Sequence, residues 1–177
     1  MTDSTGLDMG ERAPDVTETL VRSDGTSSET ALSDLLSDGP VLLTFYTNDF
    51  SPGCIEEWCS FRDYDWFASD DTVQVVGASR SRPYTHQKFI DYLDLQFPLY
   101  ADTDLNLASA FDVDYRAFKL VRRSRRSCFL LDEDGVVRYV WVSEDALDPT
   151  RDQPPISDIH EAIAEEFGGK EGETFGF

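Results

Sequence analysis

The sequence predicts an α/β protein, and three observations carry that expectation. Two apolar runs, Pro40 to Tyr46 and Val73 to Ala78, have the length and bounds of fully buried strands. Between them Ser51 and Pro52 open a helical segment, since serine caps a helix well and proline suits the first helical position, where its missing N–H costs nothing. Strand, helix and strand in this order form a parallel unit with a right-handed crossover.

The remaining elements follow from local chemistry. Val16 to Val21 alternates imperfectly and runs into Ser23-Asp24-Gly25-Thr26, the turn signal of a small N-terminal hairpin. A short helix is expected from Thr30 to Leu36, ending near Gly39, and the helix opened by Ser51 is expected to reach Phe67. Another helix spans Tyr84 to Leu93 with Phe89, Ile90 and Leu93 inward, followed by a short strand at Phe97 to Tyr100 and a helix from Thr103 to Phe111. Phe129 to Leu131 and Val136 to Val142 flank Asp132-Glu133-Asp134-Gly135, so these two strands pair antiparallel across an Asp-Gly turn. The last helix has Ser157 as its cap and Ile159, Ile163 and Phe167 on one face, and it stops at Gly168-Gly169. No repeat or low-complexity linker divides the chain, so residues 1–177 read as one domain with its core in 10–167 and a flexible tail in 168–177.

Charge narrows the partners. With 35 Asp and Glu against 15 Lys and Arg, the formal net charge is −20. Such a chain is set against nucleic acid and anionic membranes. The acids are spread along the whole length, which describes a solvated acidic surface suited to a salt-rich cytosol, with an ordinary acidic protein as the alternative. No apolar run approaches the roughly 20 residues of a membrane helix, and the N-terminus has neither a basic start nor an apolar stretch, so a cytoplasmic location is expected.

Three cysteines in such a chain point to redox, metal or core use and away from a disulfide framework. The spacing of Cys54, Cys59, Cys128, His86 and His160 matches no zinc pattern, and no metal is expected. With Ser51 as cap, Cys54 is the third helical residue. There the unpaired N–H groups and the positive end of the helix dipole favour a thiolate, at the sheet edge where open α/β folds keep their sites. A buried, inert cysteine is the alternative.

The stretch FYTNDFSPGCIEEWCSFRD, from Phe45 to Asp63, resembles the active-site segment of peroxiredoxins, specifically the bacterioferritin comigratory protein (Q-type) branch of the AhpC/TSA family. The likeness extends over residues 10–167: GERAPDVTETLVRSDGTSSETALSDL resembles the N-terminal hairpin region, VVGASRSRPYTHQKFIDYLDLQFPLYADTD the middle section, and RRSCFLLDEDGVVRYVW the strand pair with its arginine. The resemblance implies a thioredoxin-like fold with a central mixed sheet flanked by helices and an N-terminal β-hairpin.

It also implies thiol-dependent reduction of hydrogen peroxide or organic hydroperoxides. Cys54 corresponds to the peroxidatic cysteine, Cys59 to the resolving cysteine that forms a redox-active disulfide with it, Ser51 to the hydroxyl that touches the peroxide, and Arg126 to the arginine before the strand. Tyr46, Thr47 and Pro52 fall in the substrate loop. The arginine placement has independent support: if its strand runs antiparallel to Pro40 to Tyr46, Arg126 begins at the edge where that strand ends. Arg122, Arg123 and Arg125 read as charge balance on an acidic surface.

One position departs from the pattern. Thr47 stands where the family has a proline that shields the thiolate; threonine fixes no φ and restores an N–H donor. Cys128 falls inside a strand and reads as core. The implied partners are a peroxide and a thioredoxin-like dithiol reductant, with no bound cofactor and a monomer or weak dimer as the assembly. A non-enzymatic redox sensor with a relaxed site is the rival reading, and a thioredoxin-like domain with inert thiols a third.

The charge balance generates a test. Lowering salt from molar to about 0.1 M lengthens the Debye length from about 3 Å to about 10 Å, which strengthens self-repulsion, so the melting temperature falls. A flat or rising melting temperature contradicts a repulsive surface.

Overall fold

Five consecutive buried residues, Val41 to Phe45, make β3 the strand around which the computed structural model is built. The structure describes residues 6–47, 49–50, 52–63, 73–117, 120–143 and 154–167. In chain order the elements are β1 (Thr17–Val21), β2 (Ser27–Ala31), α1 (Leu32–Leu36), β3 (Val41–Phe45), α2 (Pro52–Asp63), β4 (Gln74–Ser79), α3 (Pro83–Leu93), β5 (Leu99–Ala101) and α4 (Asn106–Ala110). They continue as β6 (Asp114–Ala117), β7 (Val121–Ser124), β8 (Ser127–Leu131), β9 (Val137–Val142) and α5 (Ile156–Phe167).

Seven strands form one mixed sheet in the order β2-β1-β5-β4-β3-β8-β9, and β6 with β7 makes a separate two-stranded ribbon. Strands β3, β4 and β5 are parallel, as the strand-helix-strand reading requires. Strand β8 lies antiparallel to β3 with Phe45 opposite Ser127, and β9 antiparallel to β8. Because strand side chains alternate between faces, β3 sends Leu42 into one core with Trp58, Phe61, Phe89, Ile159 and Ile163, and Leu43 and Phe45 into the other with Phe111, Phe129 and Leu107. Helices α2, α3 and α5 cover the first face, and α1 and α4 the second. Among the described residues no helix is long and apolar enough to cross a membrane.

The N-terminal hairpin, the α/β order and the thioredoxin-like arrangement are as the sequence predicts, while several boundaries move for local reasons. Thr30 belongs to β2, where it pairs with Glu18, and α1 begins only at Leu32 with Ala31 as its N-cap. The short strand is shifted to Leu99–Ala101. Helix α4 starts at Asn106, later than Thr103, because both Asp102 carboxylate oxygens accept from the amides of Leu107 and Ala108, at 2.8 Å each. Ser157 lies inside the first turn of α5, since the Pro155 carbonyl accepts the first helical bond, from Ile159. The expected helix extension at 64–67, the stop at Gly168-Gly169 and the tail lie outside the described residues. The β6–β7 ribbon was not anticipated. Gly135, at φ 80°, makes the turn between β8 and β9, where the Asp-Gly signal placed it.

Gly77 of β4 sits against Trp58 of α2 and Leu99 of β5 with no room for a side chain. A Cβ there would run into the Trp58 ring and stand 2.6 Å from Cδ2 of Leu99. Gly77→Ala is therefore expected to destabilise the fold by about 1–3 kcal/mol or more, as overpacking of a filled core does, measured by urea denaturation. Unchanged stability would mean that Trp58 has room to move.

Candidate active site

Helix α2 reads inward at Cys54, Glu57, Trp58 and Phe61, a spacing of three, four and seven residues that forms a single helical stripe. Cys54 is its third residue and fully buried, and Cys59 is half-buried further along the same uninterrupted helix; among the described residues neither forms a disulfide. The antiparallel register of β8 against β3 ends with Phe45 opposite Ser127, so Arg126, the residue before β8, lies at the sheet edge where β3 ends. Nη2 of Arg126 donates to the Cys54 sulfur at 3.3 Å, and Nη1 to a Glu57 carboxylate oxygen at 3.4 Å. The guanidinium is almost fully buried, as are both of these partners.

One buried cation thus faces two acids. Burial pushes the Glu57 carboxyl up to about 8, against the pull of Arg126 in the other direction. Burial thus favours the protonated carboxyl, which leaves more of the arginine's charge to the sulfur. Two anions for one cation in a buried site would be costly.

Tyr46 follows β3 and Thr47 opens the loop, both buried; the Thr47 hydroxyl has no hydrogen-bond partner among the described residues. The Tyr46 phenol donates to Asp49 Oδ1 at 2.5 Å, and Asp49 Oδ2 lies 2.7 Å from Nδ1 of His86. Nε2 of His86 is 2.9 Å from the Tyr100 carbonyl, an acceptor only, so this nitrogen carries hydrogen. Burial, reinforced by Asp49, raises the Tyr46 phenol well above its ordinary value. Phe50 takes φ 64°, a strained choice for a bulky residue, and packs against the rings of Phe89 and Tyr92.

Of the residues singled out from the sequence, Cys54 and Arg126 are in contact and Tyr46 packs in the same core cluster as Cys54; Thr47 follows Tyr46 at the start of the loop, and Cys59 lies further along the same helix. Pro52 begins α2 and Ser51 lies outside the described residues. Cys128 is fully buried on β8 opposite Thr44, a core position, and burial raises its thiol well above the ordinary value. Glu57, Asp49 and His86 were missed. Helical spacing could have found two of them: Glu57 is three residues past Cys54, and His86 precedes Phe89 and Ile90 on the same inward stripe of α3. The loop residue Asp49 gave no periodic signal.

The AhpC/TSA family profile matches residues 9–140. The chain is 33% identical over 143 residues to peroxiredoxin Bcp of Bacillus subtilis, covering 76% of this chain and 85% of that protein. Among solved structures it superposes on the peroxidoxin BcpB of Mycobacterium tuberculosis with a TM-score of 0.71 at 28% identity, covering 91% of this chain and 96% of that one. The bacterioferritin comigratory protein of Xanthomonas campestris, described in connection with alkyl peroxide reduction, gives 0.66 at 25% identity, with 85% and 88% coverage.

The Glu57 environment predicts a pH dependence. Unfolded, this carboxyl titrates near its ordinary value of 4.5; folded, near about 8, so between those values the folded chain holds a proton that the unfolded chain has lost. The Glu57 contribution to stability is complete below about 4.5 and is lost as pH rises to about 8. Glu57→Gln removes it, so the difference in unfolding free energy should shift in the variant's favour across that window and level off above it. Parallel pH–stability curves would contradict this.

Proposed function

The chain belongs to the AhpC/TSA family and is a peroxiredoxin, a thiol peroxidase, and from this premise we propose that Cys54 is its peroxidatic cysteine and Cys59 its resolving cysteine. The observation that carries the assignment is the 3.3 Å contact between the Arg126 guanidinium and the sulfur of a cysteine in the first turn of a helix. Cation and helix N-terminus both favour thiolate over thiol, and both can stabilise charge that develops on a departing oxygen.

The thiolate attacks one peroxide oxygen. A sulfur–oxygen bond forms as the oxygen–oxygen bond breaks, leaving Cys54 sulfenic acid and, after protonation, water or an alcohol. Arg126 is positioned to share the developing negative charge, held in place by Glu57, and Ser51 supplies a hydroxyl to the peroxide. Tyr46, Thr47 and Pro52 shape the substrate loop. The Cys59 thiolate then attacks the Cys54 sulfur, hydroxide leaves and takes up a proton as water, and a disulfide remains. A thioredoxin-like dithiol reduces that disulfide to two thiols and is itself oxidised to a disulfide. No bound cofactor enters the cycle. The protein works as a monomer or weak dimer in a salt-rich cytosol, where its acidic surface is screened.

Steady-state peroxide consumption with dithiothreitol tests this reading. Cys54→Ser should abolish turnover. After one equivalent of peroxide, the intact mass should fall by two hydrogens in the wild type, whereas Cys59→Ser should accumulate sulfenic or over-oxidised Cys54. Consumption that stops near one equivalent in the wild type would favour the sensor. A disulfide through Cys128 in Cys59→Ser would remove the resolving assignment.

A further inference from the structure

Six of the chain's 15 basic residues fall between Asp114 and Arg126, where Asp114 is the only acid, in a chain of net charge −20. The ribbon of β6 and β7, outside the main sheet, carries three of them. Its register sets Arg116 directly opposite Arg122, an unfavourable pairing of like charges that Asp114 relieves by bonding to Arg122 at 2.8 Å. Arg116 is exposed and Arg123 half-buried. Beside them two apolar side chains face solvent: Leu120 is 82% exposed and Val121 43%. Scattered charge balance does not account for a cationic ribbon with an apolar end.

The ribbon adjoins the redox site. Strand β7 leads through Arg125 directly into Arg126. On its other flank Arg80, just past β4, donates to the Arg122 carbonyl at 3.1 Å, and the neighbouring Ser81 hydroxyl accepts the amide of Asp49, in the loop that leads to Cys54, at 2.9 Å.

We propose that the β6–β7 ribbon is the docking surface for an acidic protein that delivers the reducing dithiol. The inference rests on the reading above that an external dithiol reduces the Cys54–Cys59 disulfide. Charge selects the class of partner. A basic protein would be attracted broadly to a chain of net charge −20 and would gain little orientation from it. An acidic one is repelled by the net charge of −20 and attracted where basic residues concentrate, so the field that disfavours other approaches steers it to the ribbon, in the neighbourhood of Cys54. Leu120 and Val121 supply an apolar centre, and the arginines supply a rim that pairs bidentately with carboxylates.

The test compares two reductants, a thioredoxin of net negative charge and the neutral small molecule dithiothreitol, in the wild type and in Arg116→Glu/Arg123→Glu. At about 0.1 M salt, thioredoxin-supported turnover should fall about tenfold or more in the variant, and the loss should shrink at about 1 M, where the Debye length is about 3 Å. Dithiothreitol-supported turnover should be unchanged. Arg116→Lys/Arg123→Lys should keep wild-type rates. Should the charge reversal unfold the chain, Arg116→Gln/Arg123→Gln should show a smaller loss with the same salt dependence. Equal rates with thioredoxin in wild type and variant overturn the proposal, as does an equal loss with both reductants, which would place the ribbon's effect on the chemistry. A change of oligomeric mass at constant turnover would mark the ribbon as a contact between copies and also overturn it. Absence of dithiothreitol-supported turnover in the wild type overturns the peroxidase cycle itself, and the docking surface with it.

Discussion

A buried guanidinium between a thiol and a carboxyl is the interaction on which the rest of the structure depends. Arg126 is buried at 3% exposure, so its charge must be met by protein groups or the fold pays several kcal/mol. Cys54 and Glu57 meet it from one turn of α2, and they can do so only while the helix lies over the end of β3 and β8 keeps its register with that strand. A slip of one residue would turn Arg126 to the opposite face and bring Ser127 to the helix. The five fully buried pairs from Val41 with Leu131 to Phe45 with Ser127 make that slip prohibitive. Sheet register thus becomes an electrostatic specification at the sulfur.

The loop between β3 and α2 is held by a second buried polar set. Asp49 receives the Tyr46 phenol on one oxygen and faces His86 with the other, while His86 is tied through Nε2 to the backbone of β5. The Asp49 amide is bound in turn by Ser81, beyond β4. The loop is therefore anchored to β3, β5 and α3 together, which lets Phe50 keep an unfavourable φ beside Phe89. Strain of this kind persists where the surroundings over-determine the backbone, and here it lies four residues before the candidate nucleophile.

Legibility in the sequence followed periodicity. The runs at Pro40 to Tyr46 and Val73 to Ala78, the Asp-Gly turn and the apolar stripe of α3 announced their elements because burial repeats with a period of two or 3.6. The pairing of Cys54 with Arg126 was legible once β8 was read as antiparallel to β3. Polar residues at core positions were not. Glu57 and His86 occupy inward sites that hydrophobic patterning reads as errors, and Asp49 sits in a loop without a period. The β6–β7 ribbon escaped for a related reason: four residues such as Val121 to Ser124, with two arginines among them, carry no apolar alternation. Its strand character comes from pairing with Asp114–Ala117, a tertiary fact.

Cys54 and Cys59 share one helix, which places opposing demands on it. Residues five apart on an α-helix rise about 7.5 Å and point to different faces, whereas a disulfide rarely spans more than about 7 Å between Cα atoms. The helix that gives Cys54 its dipole and its arginine also holds Cys59 away from it. A bond between them requires the first turns of α2 to open. The two anchors described above bound where that opening falls: the Asp49 and His86 set fixes the chain before the helix, and Trp58 and Phe61, buried among Tyr46 and Phe97, fix its inner face further along. Between them the Cys54 side is held by Arg126, whose interaction is strongest with a thiolate. In the proposed cycle, oxidation of the sulfur to a neutral sulfenic acid would weaken that attraction, so the chemistry that needs the folded turn would also remove part of what keeps it folded.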